Sequence, residues 1–517
     1  MHTTLPDTTP FWLAERRAVK YAPLSRDHRV DVVVVGGGIT GVTAAYLLKQ
    51  AGKSVALVER SRAGESETGH TTAHLTAVTD RRLTDLVDAF GVDHAQAVWD
   101  AGLAAIAQIH NIVTTEQIDC DFKWVPAWLF SPPEEDREKG QAAMVHEAEL
   151  AIELGFDATY VEGAPVFDRP GVRYEDQARF HPTRYLSALV QQIPGENCFV
   201  FEDSEVTEVS DDPLQVHVGR HKVTADFLIM ATHVPLRLGI GALRATMLQT
   251  DLFQYSTYAI HGRAPKGAAP EGLYWDTTPG AYDYLRVDTC RGYDDVIFGG
   301  EDHKTGQSDD TLRSFAALES RLAKILPSVK VMHRWSGQVI ETRDGLPYIG
   351  EASPRRFAAT GYAGNGMTFG TLAGMMAADA ATGRANPWRK LFDVGRTHLL
   401  MGAWNYIKEN KDYPYYLIRD RFAGAEGRSL RAVRRDHGKI LDLDGRRVAV
   451  YRDAHGNVTQ LSPVCTHMGC QVDWNEAEKT WDCPCHGSRF TPQGRVMAGP
   501  AETHLARVDA PPDGSDY

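Results

Sequence analysis

The stretch Val30-Asp-Val-Val-Val-Val-Gly-Gly-Gly-Ile-Thr-Gly41 decides the fold of the N-terminal part of the chain. It begins as a buried-strand run, turns at three glycines and opens a helical segment that reaches Ala51. A second apolar strand, Ser54 to Val58, then ends in Glu59. The order of strand, glycine turn, helix, strand and acid is the dinucleotide-binding fingerprint in the context that it requires.

Each glycine of this turn has a physical role. Gly36 makes the tight turn, Gly38 lets the backbone approach a pyrophosphate, and Gly41 lets the helix pack closely on the strand. The helix N-terminus then faces the phosphates, and Glu59 is expected to accept hydrogen bonds from ribose hydroxyls. A Gly-x-Gly-x-x-Gly pattern alone is weak evidence, but both strands and the acid stand in register with it. The sequence therefore predicts a bound dinucleotide.

Length and charge limit the remaining possibilities. A chain of 517 residues allows two or three domains, and a formal charge of −13 argues against a nucleic-acid or anionic-membrane partner. Residues 1–17 lack a basic region followed by an apolar run, so no signal peptide is predicted. No apolar run is long enough to span a bilayer, and we expect a cytoplasmic protein without a membrane span.

The middle of the chain predicts helices followed by a sheet. Residues 80–155 are expected to be largely helical, and a later buried strand ends in Ala231-Thr232. From Phe253 to Gly300 the pattern alternates and is rich in aromatic residues, which predicts an antiparallel sheet. Such a sheet, inserted between the parts of a nucleotide-binding domain, is expected to form the substrate wall.

Four of the seven cysteines lie close together near the C-terminus. Cys465-Thr-His467 and Cys483-Pro-Cys-His486 supply two thiols and two imidazoles from two loops. Two thiolates favour one iron of a 2Fe-2S cluster and two imidazoles favour the other. A tetrahedral zinc site is the structural alternative, because zinc accepts the same ligands.

Residues 28–385 resemble the D-amino acid oxidase and glycine oxidase family of FAD-dependent enzymes. The resemblance lies in the glycine turn, Glu59, Ala231-Thr232, Asp344-Gly-Leu-Pro-Tyr-Ile-Gly350 and Gly364-Asn-Gly366. It implies bound FAD and oxidation of C–N bonds by hydride transfer to it. It also implies that a helix opening at Gly364 to Thr368 binds the negative charge that develops on the flavin. The implied FAD contacts are Gly36, Gly38, Ile39, Thr40, Gly41, Glu59, Arg60, His70, Thr72, His74, Val206, Thr232, Gly364, Asn365, Gly366, Met367 and Thr368.

Two departures from this family concern the substrate. The amino acid oxidases place a carboxylate-binding arginine where this chain has Val339, and glycine oxidases place one where it has Gly364. The chain is therefore similar to the amine and polyamine branch, and an amine-type small molecule is expected. Arg286, with Tyr282 and Tyr284 at alternate positions of one strand, is the candidate for substrate contact. The alternative is that Arg286 is an exposed strand residue with a salt-bridge partner.

One histidine raises the question of how the flavin is attached. His70 stands where some dehydrogenases of the family bind the flavin covalently. A histidine that packs near the flavin without a bond is the alternative, and the sequence does not decide between them.

Residues 428–510 resemble the Rieske domains of cytochrome bc complexes. The resemblance implies that Cys465, His467, Cys483 and His486 hold a [2Fe-2S] cluster, and it favours iron over zinc. It also implies a disulfide between Cys470 and Cys485 beside the cluster. Ser488 corresponds to a serine that bonds a bridging sulfide. Phe490 replaces a tyrosine of the high-potential members, and we expect an intermediate reduction potential because one donor is missing.

The predicted fold class is α/β. An FAD-binding Rossmann-like domain of the glutathione reductase type would occupy residues 1–385, with an inserted antiparallel substrate sheet at about 80–160 and 245–330. A linker helix would occupy residues 386–427, with helix Thr397–Glu409 and a boundary at Gly424–Gly427. A small all-β Rieske domain would fill residues 428–517.

Two functions remain open at this point. In the first, an enzyme oxidises an amine or N-substituted amino compound and passes electrons through the cluster to an external acceptor, such as a ferredoxin or a quinone. In the second, the chain is a non-catalytic electron-transfer module for a partner protein. A Rieske oxygenase is not expected, because only about thirty residues follow His486 in this sequence, too few for a mononuclear iron domain. Direct use of NAD(P)H is not expected either, since no second nucleotide fingerprint is visible.

Overall fold

The structure is a computed structural model that describes residues 8–14, 19–234, 248–249, 251–278, 282–308, 310–396, 429–443, 445–467 and 469–508. The chain divides into two compact units. The first comprises residues 1–252, 257–302 and 317–401, and the second comprises residues 253–256, 303–316 and 402–517. The predicted helix Thr397–Glu409 and the boundary at Gly424–Gly427 lie outside the described residues.

The helices that begin at Ile39 and Gly366, and the three within residues 80–155, agree with the sequence, whereas the helix Thr311–Ile325 lies in the range predicted as an inserted sheet. The helices are α1 Phe11–Ala14, α2 Ile39–Gln50, α3 Leu83–Phe90, α4 Val92–Thr115, α5 Arg137–Glu153, α6 Pro182–Gln191, α7 Thr311–Ile325 and α8 Gly366–Thr382. Short 3-10 turns occupy Glu67–Gly69, Ala363–Asn365 and Leu430–Ala432. Among the described residues no helix is both long and apolar enough to cross a lipid bilayer.

The strands are numbered in chain order. They are β1 His28–Val35, β2 Val55–Val58, β3 His74–Leu75, β4 Lys123–Phe130, β5 Ala158–Val161, β6 Gly171–Arg179, β7 Phe199–Phe201, β8 Glu208–Asp211, β9 Leu214–Val218, β10 His221–Met230, β11 Leu252–Pro265, β12 Gly272–Asp276, β13 Tyr284–Thr289, β14 Tyr293–Lys304, β15 Lys330–Thr342, β16 Tyr348–Ser353, β17 Arg356–Thr360, β18 His437–Leu443, β19 Arg446–Arg452, β20 Val458–Leu461, β21 Asp473–Asn475, β22 Thr480–Asp482, β23 Arg489–Phe490 and β24 Val496–Ala498.

The first sheet has the strand order β16-β17-β10-β1-β2-β7, with β9 paired to β10 and β8 paired to β9. β1 lies between β10 and β2 and runs parallel to both. Its side chains alternate between two apolar cores: Val32 and Val34 belong to one, and Val33 and Val35 belong to the other. A central parallel strand is buried on both faces, which explains why the whole run is apolar.

The second sheet has the order β15-β11-β14-β13-β12-β4-β6-β3, with β5 paired to β6. The antiparallel pairings include β12 with β13 and β13 with β14, as the alternating sequence predicts. One pairing differs, because β12 runs parallel to β4. β4 comes from the earlier helical region, and no local pattern in the sequence shows that the two distant segments would become neighbours.

The C-terminal part of the second unit contains two small antiparallel sheets, in the orders β18-β19-β20 and β21-β22-β23-β24. Gly438 of β18 packs directly against the ring of Trp474, at a position where a side chain would overlap that ring. The predicted combination of an α/β part, an inserted sheet and a small all-β part is confirmed.

A buried carboxylate holds the start of α3. Glu147 of α5 is fully buried, and its two oxygens accept from the backbone N–H of Leu83 (2.7 Å), the backbone N–H of Thr84 (3.2 Å) and the hydroxyl of Thr84 (2.7 Å). α3 has no side-chain cap of its own, so Glu147 satisfies N–H groups that would otherwise be buried without a partner. This fixes the chain directly after Asp80.

We expect Glu147→Ala to lower the free energy of unfolding by about 2 kcal/mol, because it removes a charged acceptor from buried N–H groups. Glu149 is the matched control, since it lies exposed on the same helix and Glu149→Ala should leave stability nearly unchanged. Urea denaturation followed by tryptophan fluorescence measures both. Equal midpoints for the two variants would contradict this role of Glu147.

Candidate functional site

The glycine turn between β1 and α2 leaves no space for side chains at two positions. Gly36 has φ +109°, and its Cβ would overlap the carbonyl oxygen of Ala231; a Cβ on Gly41 would overlap the carbonyl oxygen of Gly36. The Gly36 N–H donates to the carbonyl of Val58 at 2.9 Å, which joins the turn to β2. The turn therefore has the tight geometry that the fingerprint predicts.

The start of α2 can receive an anionic group. Its N-cap is Gly38, which has no side chain to cap the helix, and the first turn contains no acidic residue. A Cβ on Gly38 would meet only the Thr68 hydroxyl, at 3.2 Å. The backbone of Ile39 donates to that hydroxyl, also at 3.2 Å. The positive end of the helix is thus open on the side of Gly38, which fits a pyrophosphate.

Glu59 lies beside this turn at the end of β2. It is 7% exposed, and its carboxylate accepts from the backbone N–H of Gly37 at 2.6 Å and of Ser61 at 2.7 Å. Burial raises the pKa of Glu59, while these two hydrogen bonds act in the opposite direction. The acid is therefore placed where the fingerprint requires an acceptor for ribose hydroxyls.

Glu202 is a buried acid that the sequence analysis missed. It follows β7 directly, and its carboxylate accepts from the backbone N–H groups of Ala63 and Tyr21, each at 3.0 Å. It also forms an ion pair with Arg62 at 2.7 Å. Glu202 thereby holds the loop that follows Glu59. An acid directly after an apolar run was the available signal.

The start of α8 meets the start of α2. The hydroxyl groups of Thr40 and Tyr362 are 2.9 Å apart. The side chains of Asn365 and Thr368 donate to backbone carbonyls of Val78 (3.1 Å) and Thr76 (2.9 Å). The side-chain donors of Asn365 and Thr368 are therefore engaged by the protein backbone. The structure therefore brings Gly364 to Thr368, including Gly366 and Met367, next to the predicted phosphate site.

The remaining predicted FAD contacts lie around the same sheet edge. Thr232 follows β10, and its hydroxyl donates to the carbonyl of Val234 at 2.8 Å. Arg60 is exposed beyond Glu59, and Val206 lies in the loop before β8 and packs on a core of the first unit. These placements agree with the resemblance and leave the contacts themselves as predictions.

The histidine segment before and within β3 is held by hydrogen bonds. A ring nitrogen of His70 lies 3.0 Å from the carbonyl of Ser66, and His74 lies 3.1 Å from the Thr72 hydroxyl. Burial and the nearby charge of Arg286 lower the pKa of His74 to about 3, so this imidazole is neutral.

Arg286 is 1% exposed, and protein acceptors surround its guanidinium. Its Nε and Nη2 donate to Asp288 at 2.8 and 2.7 Å, its Nη1 donates to the carbonyls of Thr72 and Ala73, and its Nη2 also donates to the carbonyl of Phe180 at 3.0 Å. These bonds engage the donor groups that a substrate carboxylate would need. The arrangement favours the alternative that Arg286 is a structural ion-pair residue, although it is buried rather than exposed.

Tyr282, the second candidate for substrate contact, has an aspartate of the protein as its hydrogen-bond partner. Its hydroxyl donates to Asp80 at 2.9 Å, and the backbone N–H of Gly364 donates to the other oxygen of Asp80 at 2.7 Å. Burial raises the pKa of Asp80, yet its side chain is accessible to solvent. Solvent therefore reaches a carboxylate that two neutral donors hold in position.

A second carboxylate, Asp302, lies in the electric field of Asp80. Burial raises the pKa of Asp302 to about 7, and the charges of Asp80, Asp283 and Glu301 add to the shift. Tyr284 is 2.7 Å from the hydroxyl of Thr257, which in turn hydrogen-bonds Asp302. Arg321 pairs with Asp283 and Glu301, whereas Asp80 and Asp302 form no ion pair within the described part of the chain. We refer to Asp80 and Asp302 as the acidic pair.

In the second unit, two loops bring the predicted metal ligands together. Cys465 and His467 lie between β20 and β21, and Cys483 and His486 lie between β22 and β23. The imidazole ring centres are 4.9 Å apart, and the thiols of the two cysteines lie within hydrogen-bonding distance. Both cysteines are buried and outside any disulfide. Two adjacent thiols beside two adjacent imidazoles fit a [2Fe-2S] cluster with unlike ligands on its two irons.

The predicted disulfide between Cys470 and Cys485 is present and joins the two loops. The sulfur atoms of Cys470, Cys485 and Cys483 lie within 4.8 Å of one another, so the disulfide is adjacent to one of the cluster ligands. Those three sulfurs do not form a metal site by themselves, because two of them are bonded to each other. The cross-link therefore fixes the separation of the ligand loops.

Comparisons with known proteins agree with both parts of this description. Residues 31–380 match the model of the FAD dependent oxidoreductase family, DAO, and residues 428–509 match the Rieske [2Fe-2S] domain. A Bacillus subtilis (strain 168) protein, YhfW, whose name describes a Rieske 2Fe-2S iron-sulfur protein, is 31% identical over 98% of both chains. Gamma-glutamylputrescine oxidoreductase of Escherichia coli (strain K12) is 26% identical and covers 78% of this chain and 96% of its own.

The fold comparison points the same way. The crystal structure of glycine oxidase from Geobacillus kaustophilus superposes with a TM-score of 0.58 at 18% identity, over 72% of this chain and 99% of that one. The glycine turn, the open helix end and the placed acid fit FAD, and the two loops fit the cluster. The chain therefore belongs to the DAO family of FAD-dependent oxidoreductases, and it carries a Rieske [2Fe-2S] domain at its C-terminal end.

Proposed function

We propose that this enzyme oxidises the C–N bond of an amine or N-substituted amino compound and passes the electrons through the Rieske cluster to an external acceptor. When bound, FAD supplies a hydride acceptor and the cluster supplies a one-electron carrier. The observation that supports the proposal is the acidic pair, because these two carboxylates form no ion pair among the described residues and therefore favour a cation beside them. Ferredoxins, quinones and other acceptors all remain candidates for the acceptor.

The charge of the acidic pair favours one class of substrate. An ammonium group near two carboxylates is stabilised, while a substrate carboxylate in the same place is repelled. Asp80 is held in position by Tyr282 and by the backbone of Gly364. A Cβ on Gly364 would lie 2.7 Å from both the Asp80 carboxylate and the Tyr282 hydroxyl. An arginine side chain could therefore not begin at this position without displacing Asp80.

The relatives support an amino compound as substrate. Gamma-glutamylputrescine oxidoreductase is named for a substrate that contains an amine, and glycine oxidase is named for an amino acid. Arg286 is paired with Asp288, so its guanidinium is not available to a substrate carboxylate. This favours the amine over the simple amino acid.

Asp302 can hold the proton that an ammonium substrate must lose before its C–N bond is oxidised. Its Oδ1 is shielded from solvent and has no hydrogen-bond partner among the described residues. A pKa of about 7 lets this carboxylate change its protonation state near neutral pH. We assign Asp80 to hold the cation and Asp302 to accept its proton.

The second candidate function is a non-catalytic electron-transfer module. It would use both cofactors but would leave the acidic pair without a role. The acidic pair, in which Tyr282 holds Asp80 and the charge of Asp80 acts on Asp302, favours the enzyme.

Anaerobic mixing with amines separates the two functions. We expect a primary or secondary amine without a carboxylate beside the reacting carbon to bleach the flavin absorbance near neutral pH, and simple α-amino acids to do so poorly. Stopped-flow absorbance measures the rate for each compound. If no amine reduces the flavin but a reduced ferredoxin does, the protein is an electron-transfer module.

Asp302→Asn should lower kcat/KM for the amine by about 100-fold, because the amide neither attracts the ammonium nor accepts its proton. In the wild-type enzyme, kcat/KM should rise as pH increases through about 7, since Asp302 becomes charged above its pKa. The variant should lose this limb of the pH profile.

The matched control for Asp302 is Asp226→Asn, which changes an exposed carboxylate of the same unit and should leave the profile intact. A wild-type limb that persists in Asp302→Asn would assign the titration to another group and would remove Asp302 from the mechanism.

Phe490→Tyr should raise the reduction potential of the cluster. Phe490 is fully buried in the same apolar core as Cys465 and Cys483, and a hydroxyl there would add a donor near a ligand sulfur. Phe490→Leu introduces no donor and should leave the potential close to the wild-type value. Redox titration monitored by EPR measures all three proteins, and equal potentials for the tyrosine and leucine variants would contradict the expectation.

A further inference from the structure

The loop that carries Cys483 and His486 has neighbours from an unexpected part of the sequence. Within the second unit, residues 253–256 and 303–316 are grouped with the C-terminal residues. Both segments precede the Rieske domain by more than a hundred residues in the sequence. They form a wall on the cluster loop, which we call the loop wall: Gln254, Thr305, Gly306 and Gln307.

Two glycines bring the loop wall and the cluster loop into backbone contact. A Cβ on Gly306, which has φ +78°, would lie 2.7 Å from both the carbonyl carbon of Cys483 and the nitrogen of Pro484. A Cβ on Gly487, which has φ +66°, would lie 2.6 Å from the Cβ of Gln254. The main chain of Gly306 therefore lies directly against the peptide that follows a ligand cysteine.

The loop wall also makes a directed hydrogen bond. Nε2 of Gln307 donates to the carbonyl oxygen of Pro484 at 2.9 Å. The turn that presents Gln307 is itself fixed, because Gln307 N–H donates to the carbonyl of Lys304 and Thr305 N–H donates to the carbonyl of Gln254, each at 3.0 Å. The donor is thus held by a hydrogen-bonded turn.

The acceptor of this bond belongs to a peptide that reaches a ligand. The carbonyl of Pro484 and the N–H of Cys485 lie in one planar trans peptide and point in opposite directions. Backbone N–H groups of Cys485 and His486 hydrogen-bond the sulfur of Cys483. A group that fixes the Pro484 carbonyl therefore also fixes the N–H that points at the ligand sulfur.

We infer that Gln307 is a positioning residue for the cluster: it orients the Pro484–Cys485 peptide so that the Cys485 N–H bonds the Cys483 sulfur, and it thereby raises the reduction potential. Successive hydrogen bonds polarise one another, so a donor on the carbonyl strengthens the N–H bond at the other end of the peptide. Hydrogen bonds to ligand sulfurs stabilise the reduced cluster, which carries the extra negative charge. The inference depends on the bound cluster and is independent of the amine substrate.

The test compares reduction potentials in the full-length holoprotein. Gln307→Met keeps a side chain of similar length without a donor, and Gln307→Glu also adds a negative charge beside the loop. We expect the midpoint potential to shift downward in Gln307→Met and further downward in Gln307→Glu. Gln493→Glu, which makes the same charge change at an exposed residue of the same unit, should leave the potential nearly unchanged.

Redox titration followed by EPR gives the potential, and the EPR signal per iron gives the cluster content of each variant. Resonance Raman spectra in H2O and D2O report the N–H bond to sulfur directly, and the deuterium shift should shrink in Gln307→Met. A Gln307→Met protein with full cluster content and the wild-type potential would overturn the inference. If that variant does not fold, a wild-type potential in Gln307→Glu would overturn it instead. If metal analysis of the wild-type protein finds zinc instead of iron, the cluster itself is refuted, and the role of Gln307 is refuted with it.

Discussion

The close approach of backbone to backbone at Gly36 and Gly41 is the constraint on which the first unit depends. Gly36 stands where the carbonyl of Ala231 leaves no space for a side chain, and Gly41 stands against the carbonyl of Gly36. This approach lets β1 pair with β10 and β2 in parallel while α2 begins at the edge of the same sheet. The open positive end of α2 follows directly, and this is where we expect the phosphates of FAD to bind.

Buried carboxylates serve two purposes in this protein, and their partners distinguish them. Glu147 and Glu202 accept from several backbone N–H groups each, so their charge is satisfied and they hold loops in position. Asp80 and Asp302 have fewer partners and a raised pKa, because burial disfavours their charge without a cation to compensate it. A substrate cation would supply that compensation, which is why we place the amine there.

The cluster site depends on two loops that must keep a fixed separation. The disulfide between Cys470 and Cys485 joins them covalently. The loop wall packs against the loop that carries Cys483 and His486. Gly306 and Gly487 make the contact possible because neither position has room for a side chain. A Rieske domain fused to an oxidoreductase has thus acquired neighbours from outside its own continuous sequence, and these neighbours act on the peptide next to a ligand.

The sequence by itself determined the cofactors. The glycine turn with Glu59 and the two ligand loops are short patterns, and the chemistry of each depends on residues close together in the chain. The disulfide between Cys470 and Cys485 followed from a resemblance carried by the same short stretch. The parallel pairing of β12 with β4, the burial of Arg286 and the acidic pair were decided only by the tertiary structure.

The physical reason is the distance along the chain between the interacting groups. Arg286 is a strand residue by pattern, and only folding shows that carbonyls from residues 72–73 and 180 surround its guanidinium. The charge of Asp80 helps to raise the pKa of Asp302 because the fold brings the two together, and neither has a distinctive sequence context. Gln307 is likewise an ordinary loop residue until the fold places its amide on Pro484. Local patterns record which groups a segment offers, whereas burial and charge compensation depend on neighbours that only the folded chain supplies.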